Sequence, residues 1–148
     1  MNIRAALVVG ILALGVPAVF AQPDPIIARK ALMKGNLDNA IILSKMMREQ
    51  SPFDAAKIET AFAQFAETAQ KLPSLFPDNA KPQPPLGTYS ASLKIWQSKS
   101  DFDAKAAAFA KVVSENRAQA RTPAGLKIAF QALSPTCDNC HESYRVKH

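Results

Sequence analysis

Cysteine and histidine are scarce in this chain of 148 residues, with two of each, and so few cysteines exclude a domain stapled by several disulfides. Outside one short string the sole histidine is the final residue, His148, and no Gly-rich phosphate loop occurs. The chain therefore lacks the nucleophile, base and anion-binding groups that a hydrolase or transferase site combines. No stretch alternates apolar and polar residues between turn signals, so strands are not expected. Lysine and arginine outnumber aspartate and glutamate by eighteen to twelve, but they never gather into a Lys/Arg run. The net charge of +6 thus does not read as a nucleic-acid surface. There is no low-complexity tract, and 48% hydrophobic with 20% charged residues is the balance of one folded domain, not of a disordered tail.

The first segment reads as an address. Asn2, Ile3 and Arg4 make a short positive start, and Ala5 to Val16 is an uncharged apolar run too short to span a bilayer comfortably. Pro17 breaks the run, and Val19-Phe20-Ala21 suits a signal peptidase, which places cleavage after Ala21 and a single domain over 22–148. An uncleaved membrane anchor is the alternative, but Gly10, Gly15 and Pro17 interrupt the run and no basic stop-transfer cluster follows. Losing the leader also removes Arg4, which leaves seventeen basic and twelve acidic residues, or +5. A leader without twin arginines points to the general secretory route and a bacterial periplasm, where an unpaired thiol is a liability unless bonded.

Helical periodicity dominates the rest. From about Pro23 to Gln50, Ile26, Met33, Leu37, Ile41 and Met47 recur at three-to-four spacing and are expected to form the buried face of a first helix. A second helix over about 54–71 carries the stripe Ile58, Phe62, Phe65, Ala69 and Leu72, with Ser51 or Asp54 as its cap. Between Leu72 and Tyr89, five prolines and Gly87 forbid regular helix and imply one long connection. A third helix is expected over about 93–120, built on Trp96, Phe102, Phe109 and Val113, with a restart at Ser100-Asp101-Phe102-Asp103. Thr122-Pro123 opens a fourth, whose stripe runs through Leu126, Phe130, Leu133, Cys137, Cys140 and Tyr144 and which Pro135 should kink or locally break. Short connections within each pair favour antiparallel neighbours, so the expected fold is an all-α, antiparallel up-down-up-down four-helix bundle. Such bundles leave room for a ligand between helix ends.

The chemistry lies at Cys137-Asp138-Asn139-Cys140-His141. Cys-x-x-Cys-His is the haem-attachment string of c-type cytochromes. On a helix the two thiols share a face, and His141, rotated by about 100° from Cys140, can reach the iron of a porphyrin that the thiols hold by its edge. Two other readings compete. A thioredoxin-type dithiol wants a βαβ context with the first cysteine at a helix start, and two alkylatable thiols in a haem-free protein would reveal it. A structural zinc site wants four ligands, for which His148 is the one further His or Cys of the chain after residue 21.

The run Cys137 to Arg145, set at the C-terminus of an exported helical protein, resembles the class II c-type cytochromes, the cytochrome c′ superfamily. Leu75-Phe76-Pro77, Ile95-Trp96, and Arg29 followed four residues later by Met33 extend the resemblance over essentially all of 22–148. It implies a four-helix bundle carrying one covalently attached haem c, with Cys137 and Cys140 as thioether anchors and His141 as proximal iron ligand. The family divides into high-spin, five-coordinate cytochromes c′, which bind NO or CO, and a low-spin branch in which a methionine of the first helix binds the iron. If the first and last helices run antiparallel, Met33 lies level with His141, whereas Met46 and Met47 lie about 20 Å further along at 1.5 Å per residue. Met33 can also be a gap-filling core residue. The long connection, with Tyr89 and Lys94-Ile95-Trp96, looks more like the low-spin branch, so His141/Met33 ligation is expected. By the same resemblance Arg145 and Arg29 are candidate partners of the haem propionates, with surface cations as the alternative, and Tyr144 and Trp96 pack about the pocket. The implied role is a periplasmic one-electron carrier, not an enzyme. Its partners would be other redox proteins with acidic docking surfaces, without nucleic acid or stable membrane insertion, and a homodimer through the first two helices is a feature of the family.

Overall fold

In a computed structural model of the full chain, residues 24–83 and 90–146 are described. The leader with its cleavage position after Ala21, the Pro84-Pro85, Gly87 and Tyr89 part of the connection, and His148 lie outside the described residues. The first helix, α1, spans Pro25–Met47, and the Asp24 carboxylate caps it by accepting from the Ile26 and Ile27 amides at 2.7 and 3.2 Å. The second, α2, spans Ala55–Lys71 and is capped by Asp54, which accepts from the amides of Ala56 and Lys57 at 3.0 and 3.1 Å. These caps satisfy amides that a helix start otherwise leaves without partners.

The proline-rich connection contains 3-10 turns at Leu72–Leu75 and Asp78–Ala80. The expected third helix is divided into a short α3, Lys94–Gln97, and α4, Lys99–Asn116, followed by a 3-10 turn at Gln119–Arg121. The break falls at Ser98, two residues before the expected restart. There the backbone leaves the helical region (φ −132°, ψ 48°) and the Ser98 carbonyl accepts from the Phe102 amide at 3.0 Å. The last helix, α5, spans Pro123–Tyr144, with Thr122 Oγ1 accepting from the Gly125 amide at 3.1 Å. Pro135 does not break it: the helix runs through unbroken, although the ring removes one backbone donor.

Helices α1, α2, α4 and α5 pack in a ring, α1 on α2, α2 on α4, α4 on α5 and α5 on α1. Two apolar clusters fix the direction of each. One joins Leu43 and Met46 near the end of α1 to Ile58 and Phe62 early in α2, Val113 late in α4 and Leu126 early in α5. The other joins Met33 of early α1 to Leu72 just after α2, Phe102 of early α4, and Cys140 and Tyr144 at the end of α5. Each helix therefore runs opposite to its ring neighbours, which is the antiparallel four-helix bundle. Among the described residues the sole extended pairing is an isolated antiparallel bridge between Ala91 and Arg145.

The stripe of α2 is buried as its spacing predicts, but that of α1 is corrected. Leu37 and Ile41, expected inside, are 59% and 44% exposed, and the buried residues of α1 are Arg29, Leu43 and Met46. Leucine and isoleucine occur on every side of α1, so apolar period alone cannot select a face. Polar anchors select it instead: the Thr68 hydroxyl of α2 donates to Asn36 Oδ1 at 2.8 Å, and Arg29, about two turns earlier on the same side, is held by the Ala80 carbonyl.

Gly125 shows how tightly α5 starts. A Cβ there would fall well inside contact distance of the Gln119 carbonyl oxygen, which is backbone and cannot swing aside. Gly125→Ala is expected to destabilise the protein by about 1–3 kcal/mol, as overpacking does. Denaturant unfolding of the two proteins side by side measures it, and equal midpoints would contradict the close approach.

Candidate haem site

The cysteine and histidine string occupies the last turns of α5, with Cys137, Cys140 and His141 each half-buried. Burial pushes both thiols above their ordinary range, with the Asp138 carboxylate adding to the effect on Cys137. A dithiol oxidoreductase needs the opposite, a thiol depressed toward neutrality. Burial also lowers His141, helped by the nearby Arg145 cation, so the imidazole is held neutral, the form that binds a metal. Among the described residues no group of three or more His, Cys, Asp or Glu side chains could hold a metal ion.

Across the bundle, Met33 packs in the same apolar cluster as Cys140 and Tyr144, while Met46 and Met47 belong to the cluster at the other end. The Met33 thioether thus lies at the end of the bundle where the last turn of α5 carries His141. The surrounding wall is aromatic. Phe76 meets Trp96 and Phe102 edge to face at 5.6 and 4.8 Å between centroids, and Phe102 meets Tyr144 at 5.3 Å. Trp96 Nε1 donates to the Pro77 carbonyl at 3.2 Å, which ties α3 to the connection.

Arg29 is 7% exposed, unusual for a cation. Its guanidinium donates to the carbonyls of Leu75 and Ala80 at 3.3 Å and lies 4.8 Å from the Phe76 ring centroid. Burial lowers its pKa, with Asp24 acting more weakly in the opposite sense. Among the described residues no carboxylate lies within ion-pair distance of Arg29. Arg145 is half-buried at the end of α5, where its amide donates to the His141 carbonyl at 3.1 Å.

Two features went unread in the sequence. The segment after the connection is pinned to the end of α5: Ser92 N donates to Tyr144 O at 2.9 Å and Val146 N to Ser90 O at 2.8 Å. These are backbone bonds and leave no mark in residue type. The other is Asp101, which accepts from the Tyr144 hydroxyl at 2.5 Å. Burial, with the Asp101 bond and charge adding, pushes Tyr144 up to about 12. A tyrosine in the unfolded chain ionises near 10, so between about 10 and 12 the folded state keeps a proton that the unfolded state has lost. Stability should therefore fall as pH rises through that window. Tyr144→Phe is expected to cost about 1 kcal/mol near neutrality and to flatten the alkaline fall, as read from unfolding midpoints at pH 8 and 11. An equally steep fall in the variant would remove Tyr144 as its source.

The donor set fits a covalently held haem on the chemistry of its residues: two half-buried thiols three residues apart, an imidazole beside them, a thioether in one cluster with Cys140, and a buried cation with no carboxylate in ion-pair distance among the described residues. Comparison with known proteins agrees. The sequence pattern of the family described as Cytochrome C′ matches residues 24–145. A cytochrome c-556 of Rhodopseudomonas palustris is 39% identical over 146 residues, covering 98% of both chains. A cytochrome c′ of the same organism is 31% identical over 147 residues, covering 99% of both. The NMR-validated structure of oxidised R. palustris cytochrome c556 superposes with a TM-score of 0.76 at 38% identity, over 86% of this chain and 99% of that one. With the motif, the bundle and the match over nearly its whole length in agreement, the chain belongs to the cytochrome c′ family, class II c-type cytochromes with one covalent haem c.

Proposed function

We propose that this protein is a periplasmic one-electron carrier in which Cys137 and Cys140 anchor the haem, His141 is the proximal ligand and Met33 the distal one. The observation that carries the reading is the placement of Met33 in one apolar cluster with Cys140, remote from the cluster that holds Met46 and Met47. The haem supplies a ferric/ferrous couple. The chain holds that couple between a neutral imidazole and a thioether, two donors that suit both oxidation states and raise the potential. Arg145 and the buried Arg29 are the cations proposed to meet the propionates, which would give Arg29 the counter-charge its burial calls for. The positive balance of +5 left after removal of the leader at Ala21 favours acidic partner surfaces, with rates that fall as salt rises. Among the described residues no helix is long and apolar enough to cross a membrane. The outward Ile27, Leu37 and Ile41 of α1, 68%, 59% and 44% exposed, give a second copy of the chain an apolar face to cover.

A second reading is favoured by the similarity to a cytochrome c′: a five-coordinate protein that binds NO or CO, with Met33 as packing. Absorption spectra of the oxidised, reduced and CO-treated protein decide between the two. The proposed carrier gives a sharp reduced spectrum that CO barely alters and a weak far-red sulfur-to-iron band when oxidised. A broad spectrum that CO shifts fully would establish the gas-binding reading instead.

A further inference from the structure

We infer that Arg29 is the positioning residue of the distal face: its guanidinium fork fastens α1 to the proline-rich connection and thereby seats Met33, one turn further along the same helix. This rests on the proposed ligation by Met33. A cation that is 7% exposed has little contact with water, so, beside the proposed propionate, its N–H groups depend on protein acceptors. Those present are backbone: Nη1 donates to the Leu75 and Ala80 carbonyls and Nη2 also to Ala80, all at 3.3 Å. Leu75 closes the first 3-10 turn and Ala80 the second, whose Ala80 amide donates to Pro77 O at 3.0 Å. Phe76 and Trp96 close over the same guanidinium, with centroids 4.8 and 5.9 Å from its carbon. One planar group therefore joins α1, the connection and α3. Among the described residues the connection's other ties include the Ala80–Pro77 and Lys81–Asp78 turn bonds and the Trp96 Nε1 bond to the Pro77 carbonyl, none of which reaches α1, and proline supplies no donors. Met33 meets the same cluster as Leu75, Phe76 and Trp96, so a loosened connection frees the wall against which the thioether is packed.

Lysine separates this role from that of a mere charge. Arg29→Lys keeps the cation that a propionate needs but loses the planar fork and the stacking. Arg29→Gln drops the charge and can serve one carbonyl. Both are made in the haem-loaded protein and compared with the parent by amide exchange over residues 76–82 and by the rate of CO binding to the reduced form. Exchange across Phe62 to Phe65, at the other end, serves as the folding control. In both variants, exchange at the Ala80 turn is expected to quicken at least tenfold, the scale of one charge-assisted hydrogen bond, and CO binding to quicken at least tenfold as Met33 loses its seat. Parental exchange in Arg29→Lys, with only Arg29→Gln impaired, would overturn the fork and leave a charge role. Faster exchange with unchanged CO binding would overturn the link to Met33. If the parent binds CO at once, the ligation by Met33 falls with it, while the fastening of the connection still stands or falls on the exchange data.

Discussion

Met33→Leu is expected to turn a protein that CO barely touches into one that binds it completely when reduced. Leucine nearly conserves the volume, so the packing against Leu72, Phe76 and Tyr144 survives at a cost below about 1.5 kcal/mol. What it lacks is the sulfur. Without a thioether to offer, α1 would present hydrocarbon to the distal side, the far-red band would disappear and the reduction potential would fall, since thioether ligation is the feature proposed to raise it. Met46→Leu is the matched control, because Met46 lies in the opposite cluster and its loss should leave the spectrum as it was. A Met33→Leu spectrum identical to the parent's in both oxidation states, with CO binding unchanged, would sink the assignment, as would parental behaviour in Met33→Leu alongside a change in Met46→Leu.

The contrast between α2 and α1 shows what periodicity can and cannot deliver. In α2 the large residues Ile58, Phe62 and Phe65 stand on one side and charged or small residues on the other, so the stripe names the buried face. In α1, isoleucine and leucine surround the axis, and the choice of face passes to hydrogen bonds that a pattern of apolar residues does not encode. The site divides in the same way. Cys137, Cys140 and His141 are legible because attachment chemistry demands fixed spacing along one helix. The place of Met33 near the motif is legible through topology, since helix direction and rise set it level with Cys140, while its ligation remains the proposal that the spectra test. The partners of Arg29 are not legible, because they are carbonyls of Leu75 and Ala80, and every residue carries a carbonyl. The pairing of Ala91 with Arg145 is hidden for the same reason. Of the two outcomes expected at Pro135, the break does not occur, because a missing donor inside a helix whose neighbours pack well removes one bond without ending the helix.

Replacing Cys137 and Cys140 together by alanine is expected to abolish covalent haem, so that the denatured polypeptide weighs what its amino acids weigh, and to unmake one end of the bundle before the other. The end at the motif has the smaller cluster, Leu72, Phe76, Ile95, Phe102 and Tyr144, into which Met33 and Cys140 fit only partly buried. It also holds a buried cation with no carboxylate within ion-pair distance among the described residues. Without the haem that end has less apolar surface to bury and a charge to solvate, and both favour opening. The opposite end, with Leu43, Phe62, Phe65, Leu126 and Leu133, does not touch the motif. Amide exchange in the double variant should therefore collapse around Arg29 to Met33, Ile95 to Phe102 and Cys137 to Tyr144, and persist longest around Ile58 to Phe65 and Leu126 to Leu133. Each single variant, Cys137→Ala or Cys140→Ala, keeps one thioether and should show intermediate loss. A double variant that retains haem mass after denaturation would disprove the attachment sites. One that folds free of haem with both ends protected as in the parent would show that the bundle closes without it, and would overturn the predicted order of opening.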